Sequence, residues 1–531
     1  MRAFIAAVLI VMCLAAVEIC GQETPTPRVT LHMAALQGNV DAVREHIAAG
    51  SDLDAKDPWG STPLIIAVTF DRTEVARALI EAGADLEIAN REGSTPLHTA
   101  AFLCRAEIVE ILLEHSASRQ VRDDYGNSPF DVVAGPFSDV EKVYASLQQG
   151  LAPLGLKLDM ARLRTMRPRI AEMLRARPDE LDAVDFAPVK RDDWKVATPA
   201  ELGMDPHLIA ELYLDAASVP KLYSVLIVRD GRLIAERYFG ESSIDHTTRL
   251  CSVTKSYTSA LTGIALEQGY LSSVDQKMID FFPEIAGKIT DPRKKQITIR
   301  HLLQMRSGYP WEEIDPEHWN GLLSGHYPPL IEAFPLLGEP GSQFNYSNLS
   351  SNWLGIIVAR ACGTNLRSFA QEHLVSPIGA EAGEWGTDAE GHNNGCGNLH
   401  MTARDAAKFG LLYLNGGRWN GRQVIPAEWV ADSLKNYSDD AWIAHDRLDH
   451  LGTYFRDLGY GYQWWSAQVG EHDVDYAAGH GGQFIILLHD LDMVIVATSH
   501  PFFLQHDSEA WKHEKSTINL VGKFIRSLPK E

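Results

Sequence analysis

Four short stretches in the first third of the chain recur at a constant interval, and this limits the fold more sharply than anything else in the sequence. Val29-Thr30-Leu31-His32, Thr62-Pro63-Leu64-Ile65, Thr95-Pro96-Leu97-His98 and Ser128-Pro129-Phe130-Asp131 begin at 29, 62, 95 and 128, a step of 33 residues. Between them, 40–49, 74–82 and 107–115 are each amphipathic. Gly50, Gly83 and Ser116 close these segments at the same step, where a left-handed residue is wanted. A single unit of this size cannot bury its apolar face alone, so the stack must run continuously from about 29 to 135.

The period of 33 with Thr-Pro-Leu-His resembles the ankyrin repeat. That resemblance implies an α-helical solenoid whose concave surface binds another protein and which carries no chemistry of its own. Residues 136–193, with a helical pattern at 160–177 rich in Arg and Leu, read as a cap and connector. Pro188 and Lys190-Arg191-Asp192-Asp193 mark the boundary.

At 531 residues the chain exceeds one domain, and 45% hydrophobic with 22% charged residues suffices for ordinary cores. A formal net charge of -22 argues against nucleic acid or anionic membrane surfaces as partners. Met1-Arg2, an apolar run at 3–17 and small residues after it read as a signal peptide over 1–21, too short to span a bilayer. Export to the periplasm or medium is expected. Lipid anchoring at Cys20 is the alternative, with Glu18 and Ile19 standing where small residues are usual. Of the other cysteines, Cys104, Cys251, Cys362 and Cys396 show no metal-type clustering. Cys362 and Cys396 are a candidate bridge whose separation sequence leaves open.

The texture changes at Trp194, and 194–528 read as a second domain. Tyr223 to Val228 and Arg232 to Tyr238 flank Asp230-Gly231, a two-residue hairpin signal. An apolar-periodic run from Ser252 ends at Gly269, a Thr-capped helix follows Ile297-Thr298, a second hairpin covers 484–488 and 493–498, and 515–527 read as an amphipathic helix. Strands at both ends with helices between them imply an α+β layout, with one sheet assembled from both termini.

Three motifs carry chemistry. Ser252 and Lys255, three residues apart, lie on one helix face and point into one cleft. A partly desolvated lysine has its ammonium form disfavoured and can take the serine proton. Tyr346-Ser347-Asn348 offers a phenol that a neighbouring ammonium would hold near phenolate, and an amide able to orient Lys255 or a substrate carbonyl. His480-Gly481-Gly482-Gln483 opens a strand. Its glycines leave room for a ligand against the backbone, and the Gln483 and Ser252 N–H groups can form an oxyanion hole.

In this order the motifs resemble the serine β-lactamase and penicillin-binding-protein superfamily, in its class C β-lactamase, carboxypeptidase and esterase branch. The resemblance implies a β-lactamase-like serine hydrolase domain acting through a Ser252 acyl-enzyme. Lys255 and Tyr346 would move protons, and no metal or cofactor is required. Where that branch carries Lys-Thr-Gly, this chain has His480-Gly481-Gly482. The usual cation for a substrate carboxylate is therefore replaced, and the reading leans to ester or amide substrates over β-lactams and D-Ala-D-Ala peptides. An inactive ankyrin adaptor is the alternative from another class. Zinc motifs such as His-Glu-x-x-His are missing among the twenty histidines. Sequons at Asn345, Asn348 and Asn436 bear on compartment, since a glycan at Asn345 or Asn348 would fill the cleft.

Overall fold

The computed structural model describes residues 29–441, 452–502 and 508–530, so the expected leader, with Cys13 and Cys20, lies outside the described residues. The chain divides into two units, 1–177 and 178–531.

In the first unit the repeats build paired helices. The opening helices are Leu31–Gln37, Pro63–Thr69 and Pro96–Phe102, capped by Thr30, Thr62 and Thr95. The returning helices are Val40–Ala48, Thr73–Glu81 and Ala106–Glu114. Gly50, Gly83 and Ser116 follow them at φ 68°, 88° and 66°, the left-handed conformation expected of those positions. The periodicity also appears in the bonds that join neighbours. Arg72 donates to the Leu36 carbonyl and Arg105 to the Thr69 carbonyl, the second pair shifted by one repeat from the first. Leu64, Leu97, Leu79 and Leu112 are fully buried between the layers. The fourth unit is reduced to Asp131–Ala134, and helices Phe137–Leu151 and Met160–Met173 follow it.

The second unit is built on strands β1 (Leu222–Arg229), β2 (Arg232–Tyr238), β3 (Thr247–Arg249), β4 (His400–Thr402), β5 (Arg418–Trp419), β6 (Arg422–Gln423), β7 (Phe455–Tyr460), β8 (Trp465–Val469), β9 (His472–Gly479), β10 (Gln483–Leu488) and β11 (Met493–Ser499). Seven of them form one antiparallel sheet in the order β2-β1-β11-β10-β9-β8-β7. The two terminal hairpins therefore meet at the β1–β11 pairing, as an assembly from both ends requires. Alternate residues face opposite layers. Leu226, Val228, Ile485 and Val494 join the core holding helices Thr254–Glu267, Asn348–Cys362 and Ala403–Leu414. Val225, Ile227, Ile486 and Ile495 join the core beneath helices Pro206–Ala216 and Ser508–Ser527. With both faces covered, β10 and β11 are buried along their whole length.

The unit begins at Pro178, earlier than the boundary expected at Trp194. Residues 178–193 are tied into the sheet through Glu236, which is 2% exposed. Its amide donates to the Phe186 carbonyl at 3.0 Å, and its carboxylate accepts from Arg404 Nε at 2.9 Å. Arg404 in turn donates to the Val189 carbonyl at 2.7 Å and pairs with Asp193. All four described cysteines are free, so the candidate Cys362–Cys396 bridge is not formed. Among the described residues no helix is long and apolar enough to cross a membrane.

Candidate active site

Ser252 lies in a single 3-10 turn, Cys251–Val253, one step ahead of helix Thr254–Glu267. Cys251 has φ 48°. This kink before the helix leaves Ser252 partly exposed, while Lys255, one turn on, is 1% exposed.

The Lys255 ammonium donates to Ser252 Oγ at 2.7 Å, to Asn348 Oδ1 at 2.8 Å and to the Cys396 carbonyl at 3.1 Å. All three of its N–H bonds are thereby used. It also stands 4.8 Å from the centre of the Tyr346 ring. Here the sequence expectation is corrected. Burial does push the Lys255 pKa down, but Tyr346, Cys396 and Glu313 outweigh it, and the net shift is upward. Lys255 is held as a cation that donates to the serine oxygen. A proton leaving Ser252 must therefore go to another group.

Tyr346 is gripped by aromatic rings: Trp465 stacks at 5.7 Å, with Trp311 at 5.6 Å and Tyr460 at 6.3 Å. Asn348 is the first residue of helix Asn348–Cys362, with Ser347 as its cap. The Asn348 amide nitrogen Nδ2 donates to Glu313 Oε1 at 2.9 Å, which turns Oδ1 toward Lys255. Beneath lies Glu312, 0% exposed, accepting from Ser347 Oγ at 2.8 Å, Asn348 N at 2.8 Å and Leu349 N at 3.1 Å. Neither Glu312 nor the Cys396 carbonyl was singled out by sequence. Glu312 sits beside an equally acidic neighbour, and any residue owns a carbonyl.

The third motif is placed differently. His480, Gly481 and Gly482 form the turn between β9 and β10, where Gln483 stands opposite Gly479. Gly481 and Gly482 have φ 79° and 89°, and side chains on them would come within 2.5 Å of the His500 carbonyl and 2.7 Å of Thr517 Oγ1. These glycines leave room for the protein's own backbone and C-terminal helix. His480 Nδ1 lies 3.2 Å from Glu514 Oε2, with Trp511 edge-on at 5.0 Å. The buried side chain of Gln483 exchanges hydrogen bonds with Ser499. The turn reaches the nucleophile through Gly479, where a Cβ would stand 2.3 Å from the Leu250 carbonyl and 3.2 Å from Cys251 Cβ.

Asp388, Glu390 and His392 have ligand atoms within 4.8 Å of one another, the arrangement among the described residues nearest to a metal cluster. His392 Nδ1 is 3.1 Å from Asp388 Oδ2, and His326 Nδ1 is 2.9 Å from Glu390 Oε1, so these groups already pair with each other.

The chain is similar to several known proteins. The chain is 26% identical over 288 residues to the 6-aminohexanoate-dimer hydrolase of Paenarthrobacter ureafaciens, covering 52% of this chain and 71% of that protein. It is 28% identical over 156 residues to the lovastatin esterase of Penicillium rubens, covering 26% and 39%. Among solved structures, the octameric penicillin-binding protein homologue from Pyrococcus abyssi aligns with a TM-score of 0.44 at 18% identity, covering 62% and 79%. Residues 31–123 match the family profile for ankyrin repeats in three copies. Residues 222–517, more than half of the chain, match the Beta-lactamase profile, and the chain belongs to the beta-lactamase family with ankyrin repeats ahead of its catalytic unit.

Proposed function

We propose that this serine hydrolase of the beta-lactamase type cleaves a carboxylic ester or amide in two steps through a Ser252 acyl-enzyme. The observation that carries the reading is the 2.7 Å contact of the Lys255 ammonium with Ser252 Oγ, in a cluster that also presents Asn348 and Tyr346. Tyr346 accepts the Ser252 proton as the hydroxyl attacks the carbonyl and returns it to the leaving group. Tyr346 acts from its phenolate form, which the Lys255 ammonium stabilises, and becomes the neutral phenol on taking the proton, while Lys255 also steadies the charge on the attacking serine oxygen. The Ser252 N–H and an amide from the β9–β10 end hold the oxyanion, and water then releases the acyl group.

Esters and amides without a carboxylate near the cleaved bond fit better than β-lactams or peptide C-termini. At the motif position where the branch usually has its lysine stands His480, 3.2 Å from Glu514, so the fixed cation that would bind a substrate carboxylate is replaced. The ankyrin unit recruits a protein partner, in keeping with its fold class. The apolar leader supports export, and N-terminal sequencing of the secreted protein tests it: a mature start well before residue 20 or retention in the cytoplasm would rule it out.

Turnover of p-nitrophenyl esters tests the chemistry. Ser252→Ala should abolish it with an unchanged melting curve. Tyr346→Phe should lower kcat by about 10²–10⁴-fold, the usual contribution of a positioned acid–base group. Full activity in Ser252→Ala would end the acyl-enzyme reading.

A further inference from the structure

The Glu312 carboxylate has no evident reason to be where it is unless it organises the site. It is wholly buried, and no arginine or lysine among the described residues pairs with it. Burying a carboxylate without a counter-ion is costly, so its surroundings must supply the compensation. They do so with three converging donors. Oε1 accepts from Ser347 Oγ and Leu349 N, and Oε2 from Asn348 N. Two of the three are the first amides of a 15-residue helix, which have no partner within the helix and carry the positive end of its dipole.

Each donor points at a carboxylate oxygen. The ionised carboxylate accepts all three as charge-assisted bonds, whereas protonation turns one of its acceptor sites into a donor and weakens the bonds that remain. The segment they fix is Tyr346-Ser347-Asn348-Leu349, which supplies the Tyr346 phenol and the Asn348 oxygen that holds Lys255. Ser347 Oγ additionally accepts from Ser350 N at 3.1 Å, so the cap and the clamp share one hydroxyl.

We infer that Glu312 is a positioning residue whose ionised carboxylate clamps residues 346–349 and so holds the Tyr346 phenol and Asn348 amide against Lys255. The inference rests on the acyl-enzyme reading of this site. The titratable groups nearby are Lys255 from the nucleophile helix, Tyr346 on the clamped segment, Cys396 from the loop that caps Lys255, and Glu313 next along the chain. Burial pushes the Glu312 pKa up to about 7, against hydrogen bonds that pull it down. The clamp therefore loosens near neutrality, where an exposed glutamate would be fully ionised.

The experiment compares pH profiles of p-nitrophenyl butyrate turnover and of thermal melting for the wild type and Glu312→Gln in the full chain. The glutamine keeps the volume but sets an NH₂ against one of the donors. Its kcat should fall at least about tenfold with KM within about threefold, the signature of a lost transition-state interaction. The wild type should show an acid limb near pH 7 that the variant lacks. The melting arm is independent of turnover. Because the folded pKa lies above that of the unfolded chain, the wild type should lose stability relative to Glu312→Gln as pH rises through 7. Parallel melting profiles, or an acid limb unchanged in the variant, would overturn the proposal.

Should Glu312→Gln fail to fold, Ser347→Ala removes one donor to the anion. It should lower kcat and move the limb to higher pH, and an unaltered kcat and limb would equally overturn the clamp. Absence of any ester turnover by the wild type would count against the acyl-enzyme reading alone, with the melting arm left to decide whether Glu312 is an ionised clamp.

Discussion

At the scale of single residues, the site turns on which group is charged. Lys255 donates three hydrogen bonds and its pKa is shifted up, with the Tyr346, Cys396 and Glu313 contributions overcoming burial. The sign of the consequence follows. A raised folded pKa adds stability that is fully present below the unfolded pKa of lysine and is lost only as pH rises through the higher folded value. Activity that needs the ammonium should accordingly hold level from about pH 8 to 10, since the lysine titrates above its ordinary range. A pH–rate series on an activated ester checks this, and activity that climbs across this range, as the ammonium loses its proton, would show that the lysine works as the neutral base after all. Ser252, Lys255, Tyr346 and Asn348 were legible in the sequence because their chemistry depends on side-chain type and short spacing. Glu312 and Glu313 were not separable, because which of two adjacent acids turns inward depends on the loop that carries them: Glu312 is wholly buried and Glu313 partly exposed.

Between elements, the site depends on how closely the backbone of the 394–398 loop approaches helix Asn348–Cys362. A Cβ on Gly395 would stand 2.1 Å from the Ser351 carbonyl, and the next residue supplies the carbonyl that accepts from Lys255. Gly395→Ala must therefore push the loop off the helix. It should destabilise the unit by ~1–3 kcal/mol, as overpacking usually does, and lower kcat as Lys255 loses an acceptor. Melting and ester kinetics on one preparation measure both, and a variant unchanged in each would mean that the loop moves freely. Gln463 joins the same elements from the other side. Its Nε2 donates to the Leu302 and Leu303 carbonyls, its Oε1 accepts from Ser351 Oγ and its carbonyl from Ser256 Oγ. The Asp230-Gly231 hairpin and strands β10 and β11 were readable from turn residues and unbroken apolar runs. Strands β7, β8 and β9 were not, because Gly459, the Trp464-Trp465 pair and the charged Asp473 and Asp475 interrupt any simple alternation.

For the whole molecule, the division at Pro178 makes a prediction that a boundary at Trp194 does not. The segment 178–193 ends in the buried pair of Arg404 and Glu236, each 2% exposed, with Val189 and Asp193 completing the bonds of Arg404. A chain cut at 194 keeps both charges buried but takes away part of what compensates Arg404. Removing one partner from such a network costs ~3–5 kcal/mol, a large part of the net stability of most folded domains. A chain cut at 178 keeps the network whole and loses only the repeats, which bear none of the residues assigned to catalysis. The 178–531 fragment should fold and turn over small esters within about tenfold of the full chain, about 1.4 kcal/mol in barrier. The 194–531 fragment should melt lower. Adding Arg404→Met to it should lower the melting further, because the buried Glu236 carboxylate then loses its cation. Equal melting of the two fragments would show that residues 178–193 only decorate the unit, and a well-folded 178–531 fragment without activity would make the ankyrin repeats part of the catalytic site.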